Sequence, residues 1–265
     1  MAEFHKITYE MDGDVAIIAF NDPATLNACG VDTAEELTAA FDRAANSARA
    51  VILTGNGRGF CSGANLSNPA MTASGPEAKS ADAGAALESV YNPLVSKMRD
   101  LPIPLVTAVN GAAAGIGCSF ALLGDMIVAA ESAYFLQAFR RIGLVPDGGS
   151  TYMLTRAIGR ARAMEMMLMG EKVFAPQALE WGLINRVCSA DALLSEAKAL
   201  AHSLAAGPTK TLAMIRHMAW LSHDNDWDTQ LALERNLQRD AGRTEDFKIG
   251  VLAFLTKQAA KFVGR

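Results

Sequence analysis

Two hydrophobic rhythms alternate along the chain. Residues 7–10 and 15–20 read as strands. Between them Met11-Asp12-Gly13-Asp14 carries an Asp-Gly turn signal, so a β-hairpin opens the fold, and Asn21-Asp22-Pro23 breaks it. Asp32 or Thr33 can cap a helix whose Leu37, Ala40 and Phe41 recur at helical spacing. Ala50-Val51-Ile52-Leu53-Thr54 then reads as a short buried strand ending at Gly55. Residues 55–63 are glycine-rich. Residues 67–86 are Ala, Ser, Gly and Pro with few large apolar side chains, the best candidate for a mobile loop or lid. Leu87, Val90, Tyr91, Leu94, Val95 and Met98 return to helical spacing, with Pro93 either kinking that helix or starting it.

Residues 105–109 and 126–130 read as buried strands. The small residues of 111–117 form a turn between them, followed by a buried helix over 116–123. Strands alternating with helices predict an α/β fold with parallel strands. Beyond Gly149 the pattern is nearly all helical. Leu193, Leu194, Ala197, Leu200, Ala201 and Leu204 make one stripe, Pro208 starts another helix, and residues 231–238 and 247–254 continue. This divides the chain into a core over residues 1–200 and a helical region over residues 201–265. No solenoid repeat is present.

Composition narrows the classes. The 265 residues are 51% hydrophobic and 20% charged, enough for a sizeable core and incompatible with a disordered chain. A net charge of −4 carries no overall basic footprint, which argues against nucleic acid as a partner, although a local cationic patch for a small anion is allowed. Cys29, Cys61, Cys118 and Cys188 are far apart with no C-x-x-C pair, which points to reduced thiols in the cytoplasm rather than a metal site or disulfides. The N-terminus lacks the pattern of a secretory signal. Residues 101–124 are uncharged and long enough to cross a bilayer. Pro102, Pro104, Asn110, Gly111, Gly115 and Gly117 interrupt them, so they read as a buried strand, turn and helix, and no membrane partner is expected.

Three segments could carry chemistry. Gly59-Phe60-Cys61-Ser62-Gly63-Ala64-Asn65-Leu66 and Asn110-Gly111-Ala112-Ala113-Ala114-Gly115-Ile116-Gly117-Cys118 each follow a strand. Small residues let backbone N–H groups approach a ligand, and two such turns face to face could hold one developing oxyanion. The same glycines could equally serve only tight packing. Neither segment is a phosphate loop: the first lacks a Lys-Ser/Thr ending, and the second does not fit G-x-G-x-x-G. Gly117-Cys118-Ser119-Phe120-Ala121 approaches a nucleophile elbow, but none of His5, His202, His217 and His223 sits in a strand-end context that favours a base, so Ser119 reads better as a small helix residue. The third segment is Ile142-Gly143-Leu144-Val145-Pro146-Asp147-Gly148-Gly149-Ser150. Its Asp147 reads either as a turn or cap residue, or as a general base whose pKa burial would raise. Arg140 and Arg141 read as surface or interface charges.

Together these segments resemble the crotonase superfamily, also called the enoyl-CoA hydratase/isomerase family, collinearly from Val15 to the C-terminus. Trp181-Gly182-Leu183-Ile184 resembles a later family segment. The resemblance implies a ββα spiral core with a C-terminal α-helical region, assembly as a homotrimer or a dimer of trimers, and an acyl-CoA thioester as substrate. It places the thioester carbonyl between the N–H groups of Ala64 and Ile116. Ser62, Gly63, Asn65, Leu66, Gly117 and Pro146 would line the substrate site. Ala24 and Leu26 would lie on the adenine side, and Phe254 and Lys257 match the spacing of the family's coenzyme-A-contacting pair. A lysine there suits phosphate, although it would also be unremarkable as a surface charge. No metal or redox cofactor is implied.

The departures from the family pattern select a branch. Where typical hydratases place two catalytic glutamates, this chain has Ser119 and Phe139, neither of which can activate water as a carboxylate does. Asp147 is the remaining carboxylate of the right kind. Tyr91-Asn92-Pro93-Leu94-Val95, the segment around Asp147, and Asp228-Thr229-Gln230-Leu231-Ala232-Leu233-Glu234-Arg235 resemble the isomerase branch, whose members shift a double bond or rearrange a ring-epoxide acyl group. The expectation is an isomerase in which Asp147 is acid and base and the Ala64 and Ile116 N–H groups hold the enolate. Phe139 and residues 67–86 would shape the acyl pocket. The alternatives are a hydratase or another crotonase-type acyl-CoA enzyme, and a non-catalytic acyl-CoA-binding scaffold.

Overall fold

A computed structural model describes residues 4–65 and 82–265. Leu66 and most of the lid candidate lie outside them. Strands β1 (Ile7–Asp12) and β2 (Val15–Phe20) form the expected hairpin, with Ile7 opposite Phe20 and Asp12 opposite Val15. Every residue of β2 is buried, because it runs inside the sheet between β1 and the parallel β3 (Ala50–Gly55). β1, at the edge, is half exposed. The parallel order continues through β5 (Leu105–Val109) and β7 (Met126–Ala130) to β10 (Arg186–Cys188), giving a six-stranded sheet. A second sheet joins β4 (Gly59–Cys61), β6 (Ala112–Ala114), β8 (Tyr134–Leu136) and β9 (Val173–Phe174). From β3 to β8 the chain thus adds a strand to one sheet and then to the other.

Helix α1 (Val31–Ser47) packs on β1 and β2 through Leu37, Ala40, Phe41 and Ala44. Its N-cap position is Gly30, not Asp32 or Thr33. Asp32 lies in the first turn, and its Oδ1 accepts from Thr33 N at 2.8 Å. Residues 87–99 form one helical rod of two kinds, a π-helical turn over Leu87–Tyr91 and then α2 (Asn92–Arg99). Pro93 has no N–H to continue the ladder, and it sits in the first turn of the α part. The small-residue turn at 111–117 contains β6, then runs into α3 (Ile116–Leu122).

Phe20 on β2 is the hub between the sheets. Its ring meets Phe60 of β4 edge-on at 5.6 Å and stacks on Phe120 of α3 at 6.1 Å. All three rings are fully buried. They form an apolar floor that holds β4 and α3 in fixed relation.

Helices α4 (Ser150–Ala157), α5 (Gly159–Met169) and α6 (Ala175–Glu180) follow. Arg140 and Arg141 are not merely surface charges. Arg140 Nη1 donates to the Leu168 and Met169 carbonyls and Arg141 to the Gly170 carbonyl, closing the C-terminus of α5. β9 and β10 interrupt what the sequence suggests is an almost purely helical second half; at two and three residues they are too short for periodicity to reveal.

The boundary at residue 200 falls inside α7 (Leu193–Ala205), which packs on β3, β5 and β7 and belongs to the core. Helices α8 (Thr209–Leu221), α9 (Trp227–Ala241) and α10 (Glu245–Thr256) complete the chain. Arg216 of α8 is buried and pairs with Asp125, while donating to the Leu101 and Met98 carbonyls. Asp246 clasps the C-terminal tail, accepting from Val263 N at 2.7 Å and Gly264 N at 2.9 Å. No helix among the described residues is long and apolar enough to cross a membrane.

Candidate active site

The three singled-out segments meet above the Phe20–Phe60–Phe120 floor. β4 and β6 pair in parallel, Gly59 beside Ala112 and Cys61 beside Ala113, so the chain leaves both strands in the same direction. It enters two turns that touch: a Cβ built on Gly115 would lie 3.7 Å from the Gly63 Cα. A Cβ at Gly117 would stand 2.2 Å from the Cys61 carbonyl oxygen, so glycine is required for α3 to come this close to β4. Ala64 and Ile116 are the next residues after the touching pair, Gly63 and Gly115.

Two backbone N–H groups are available here. Ala64 forms a parallel bridge with Cys29, made by Cys29 N donating to Gly63 O at 2.8 Å and Asn65 N donating to Cys29 O at 3.1 Å. That bridge does not use the Ala64 N–H. Ile116 is the first residue of α3, where backbone N–H groups have no partner within the helix.

Asp147 arrives from the third segment. Its backbone is held at one atom: the Asp147 carbonyl accepts from Ser119 Oγ at 3.0 Å, Ser150 Oγ at 2.8 Å and Ser150 N at 3.1 Å. The chain then turns through Gly148 and Gly149, with φ of +58° and +78°. A Cβ at Gly148 would sit 2.8 Å from the Ser119 Cβ and 3.1 Å from Ile116 Cγ1, so the turn is pressed against α3. The side chain is neither cap nor Asx turn. Gly149 occupies the N-cap position of α4, and Asp147 Oδ1 is buried without a hydrogen-bond partner among the described residues. Burial alone pushes this carboxyl up to about 6. An unpaired, partly desolvated carboxylate of that pKa suits proton abstraction and return near neutral pH.

Ser119 is fully buried with its hydroxyl committed to the Asp147 carbonyl, which leaves the nucleophile-elbow idea without support. Phe139 packs its ring edge near Gly115 and is buried on the wall of the site. Ser62 ties the first turn to the 23–26 segment: Ser62 N donates to Leu26 O at 3.0 Å, and Ser62 Oγ to Thr25 O at 2.9 Å. Ala24 is exposed and Leu26 half-buried on that rim, and Pro146 is half-buried beside Asp147. Phe254 and Lys257 are not drawn in. They lie at the C-terminal end of α10, with Phe254 83% exposed and Lys257 also exposed. A cavity of about 1020 Å³ between α2, α4 and α8 touches Gly148 and Gly149, but Asp147, Ala64 and Ile116 do not line it.

Tyr91 reads in the sequence as an apolar helix position. It is a buried phenol whose hydroxyl donates to Cys29 O at 2.8 Å. The π-helical turn that aims it leaves no periodic signal.

Comparison with known proteins identifies the family and the fold. The profile of the enoyl-CoA hydratase/isomerase family matches residues 10–265. The 1,2-epoxyphenylacetyl-CoA isomerase of Escherichia coli strain K12 is 41% identical over the full length of both chains. A protein of Rhodobacter capsulatus named as a probable enoyl-CoA hydratase is also 41% identical, over 99% of both. The crystal structure of an enoyl-CoA hydratase from Polaromonas sp. JS666 superposes with a TM-score of 0.88 at 32% identity, covering 97% of this chain and 99% of its own.

Proposed function

The chain belongs to the enoyl-CoA hydratase/isomerase, or crotonase, family, and from that premise we propose that it is an acyl-CoA isomerase with Asp147 as its acid and base. The carrying observation is the buried Asp147 carboxyl oxygen, unpaired among the described residues, on a turn pressed against α3; the family resemblance adds that Ser119 and Phe139 stand where hydratases place glutamates.

The thioester carbonyl lies between the Ala64 and Ile116 N–H groups. Asp147 removes a proton beside the carbonyl or conjugated to it, and the electron pair moves onto the thioester oxygen as an enolate or dienolate. The two donors are fixed by backbone before charge develops, so they favour the enolate over the neutral thioester. Asp147 then returns the proton to a different carbon, and the double bond shifts. No water is added, so one carboxyl suffices.

Ser62, Gly63, Asn65, Leu66, Gly117 and Pro146 would flank the thioester, and Phe139 would bound the acyl group. Ala24 and Leu26 would meet the adenine end. Phe254 and Lys257 would reach coenzyme A once protomers assemble as a trimer or a dimer of trimers in the cytoplasm. The apolar exposure of α9 and α10, including Trp227 at 75%, supports such assembly.

The test uses trans-3-enoyl-CoA, following the conjugated 2-enoyl thioester by ultraviolet absorbance. Parallel samples of trans-2-enoyl-CoA are checked by mass for the 3-hydroxyacyl product, and 1,2-epoxyphenylacetyl-CoA is tried as a ring substrate. Conjugation without hydration is the expected result. Rapid hydration without isomerisation overturns the proposal in favour of the second reading, a hydratase, which the Rhodobacter relative's name supports.

A further inference from the structure

Tyr91 is linked to the first oxyanion donor by a short chain of hydrogen bonds. The Cys29 carbonyl accepts twice, from the Tyr91 hydroxyl at 2.8 Å and from Asn65 N at 3.1 Å. Cys29 N donates to Gly63 O at 2.8 Å. Ala64 therefore stands between two residues that are both hydrogen-bonded to Cys29. The direction of the Ala64 N–H follows the orientation of the Cys29 peptide units. A carbonyl has two lone pairs, and here both are used. The Asn65 bond belongs to the turn itself, so it moves with the turn. The Tyr91 bond comes from a separate helical rod, so it sets the turn's place in the molecule.

The rod is built to deliver that hydroxyl. Asn92 N–H bonds to Leu87 O, five residues back, which is the π-helical pattern. The widened turn keeps Tyr91 on the buried side, where the residue is 6% exposed, while Leu94 and Met98 of the following α turns stay in the core. A π turn is rare, and frequent at functional sites. Burial pushes the Tyr91 phenol well above its ordinary range, with the nearby Asp147 charge adding to the shift. The hydroxyl thus remains a donor at every working pH, and it lies within electrostatic reach of the base.

We propose that Tyr91 is a positioning residue of the oxyanion hole, holding the Cys29 carbonyl so that the Ala64 N–H is aimed at the thioester oxygen. This rests on the reading in which Ala64 and Ile116 bind that oxygen. Tyr91 transfers no proton. It acts through Cys29 on the donor, and it couples the 87–99 rod to the chemistry.

Tyr91→Phe removes only the oxygen atom. Losing a whole oxyanion donor costs on the order of 10²–10³ in rate, so a donor left in place but poorly aimed should cost about 10-fold in kcat, with KM nearly unchanged. The second readout is the infrared band of a bound acyl-CoA analogue carrying a ¹³C-labelled thioester carbonyl. Wild-type protein should lower that frequency on binding, and Tyr91→Phe should lower it less. Replacing Tyr91 with 4-aminophenylalanine, which restores a donor on the ring, should recover both values. A variant that melts lower but keeps the wild-type kcat and carbonyl frequency would make the bond merely structural and overturn the proposal. Absence of any carbonyl shift in the wild-type protein, against the analogue free in solution, would instead overturn the oxyanion reading itself.

Discussion

Asp147 combines a backbone carbonyl held by three donors with a carboxyl oxygen unpaired among the described residues. Rigid placement and an unsatisfied functional atom suit a group that must exchange a proton in one geometry. Under the proposed mechanism Asp147→Asn keeps the shape and removes the base, so isomerisation should fall by about 10³-fold while acyl-CoA binding, measured by calorimetry, is retained. On the same proposal the wild-type kcat/KM should decline below about pH 6, where Asp147 becomes protonated. Its linkage to stability has the opposite sense to that of a salt-bridged carboxylate. The unfolded chain releases this proton near about pH 4, and the folded one near about 6. Burying the charge therefore costs nothing below the lower value, costs progressively more between the two, and is constant above the upper. Asp147→Asn should accordingly raise Tm at pH 7.5 and leave it unchanged near pH 4.

At the scale of elements, the site depends on how closely the 147–149 turn presses on α3. The Ser119 hydroxyl is the bond across that contact, and its Cβ is already near where any side chain at Gly148 would go. Ser119→Ala should lower kcat about five-fold, the equivalent of one ordinary hydrogen bond of about 1 kcal/mol, with the fold intact. Gly148→Ala should do more damage. It places a Cβ 2.8 Å from the Ser119 Cβ at a φ of +58°, so the turn must move and carry Asp147 with it. Steady-state kinetics alongside melting curves separates the two effects. The same closeness leaves little room for a longer side chain, such as a glutamate, at 119. Such a side chain would displace the turn that carries Asp147.

Over the whole molecule, the C-terminal helices are joined to the core by a few polar anchors rather than by a broad apolar seam. Arg216 ties α8 to Asp125 and to the end of α2 through the Met98 carbonyl. Arg49 reaches the Gly207 carbonyl at 2.7 Å and the Phe262 carbonyl at 3.2 Å. Burial pushes the Asp125 carboxyl up, against the lowering pull of Arg216, so the pair is only partly compensated by its own charges. Removing Arg216 takes the counter-charge from a largely buried Asp125 carboxylate, which keeps the Leu105 N–H at 2.7 Å. Arg216→Leu should cost about 3–5 kcal/mol and detach α8 first, visible as faster amide exchange over residues 209–221 before the core melts.

How much of this was legible in the chain follows from the range of the interactions. The hairpin, the buried strands over 50–55 and 105–109, and the helical stripes were readable because each depends on local periodicity and turn chemistry. Ala64, Ile116 and Asp147 could be named because small residues and glycines cluster around each one, and because those clusters in that order resemble a family. Three things waited for the tertiary structure. The Gly30 start of α1 has no side-chain cap to announce it. The two-residue β9 pairs with β8, forty residues earlier, and is too short to show a period. The bond from Tyr91 to Cys29 spans 62 positions and rests on a π turn. The sequence by itself determined which residues could form strands, helices and tight turns, since those choices are made by each residue and its near neighbours. Which carboxyl stayed unpaired, which hydroxyl met which carbonyl, and how closely two glycine turns approached were decided only in three dimensions. Those properties belong to contacts between distant segments, and no local pattern encodes them.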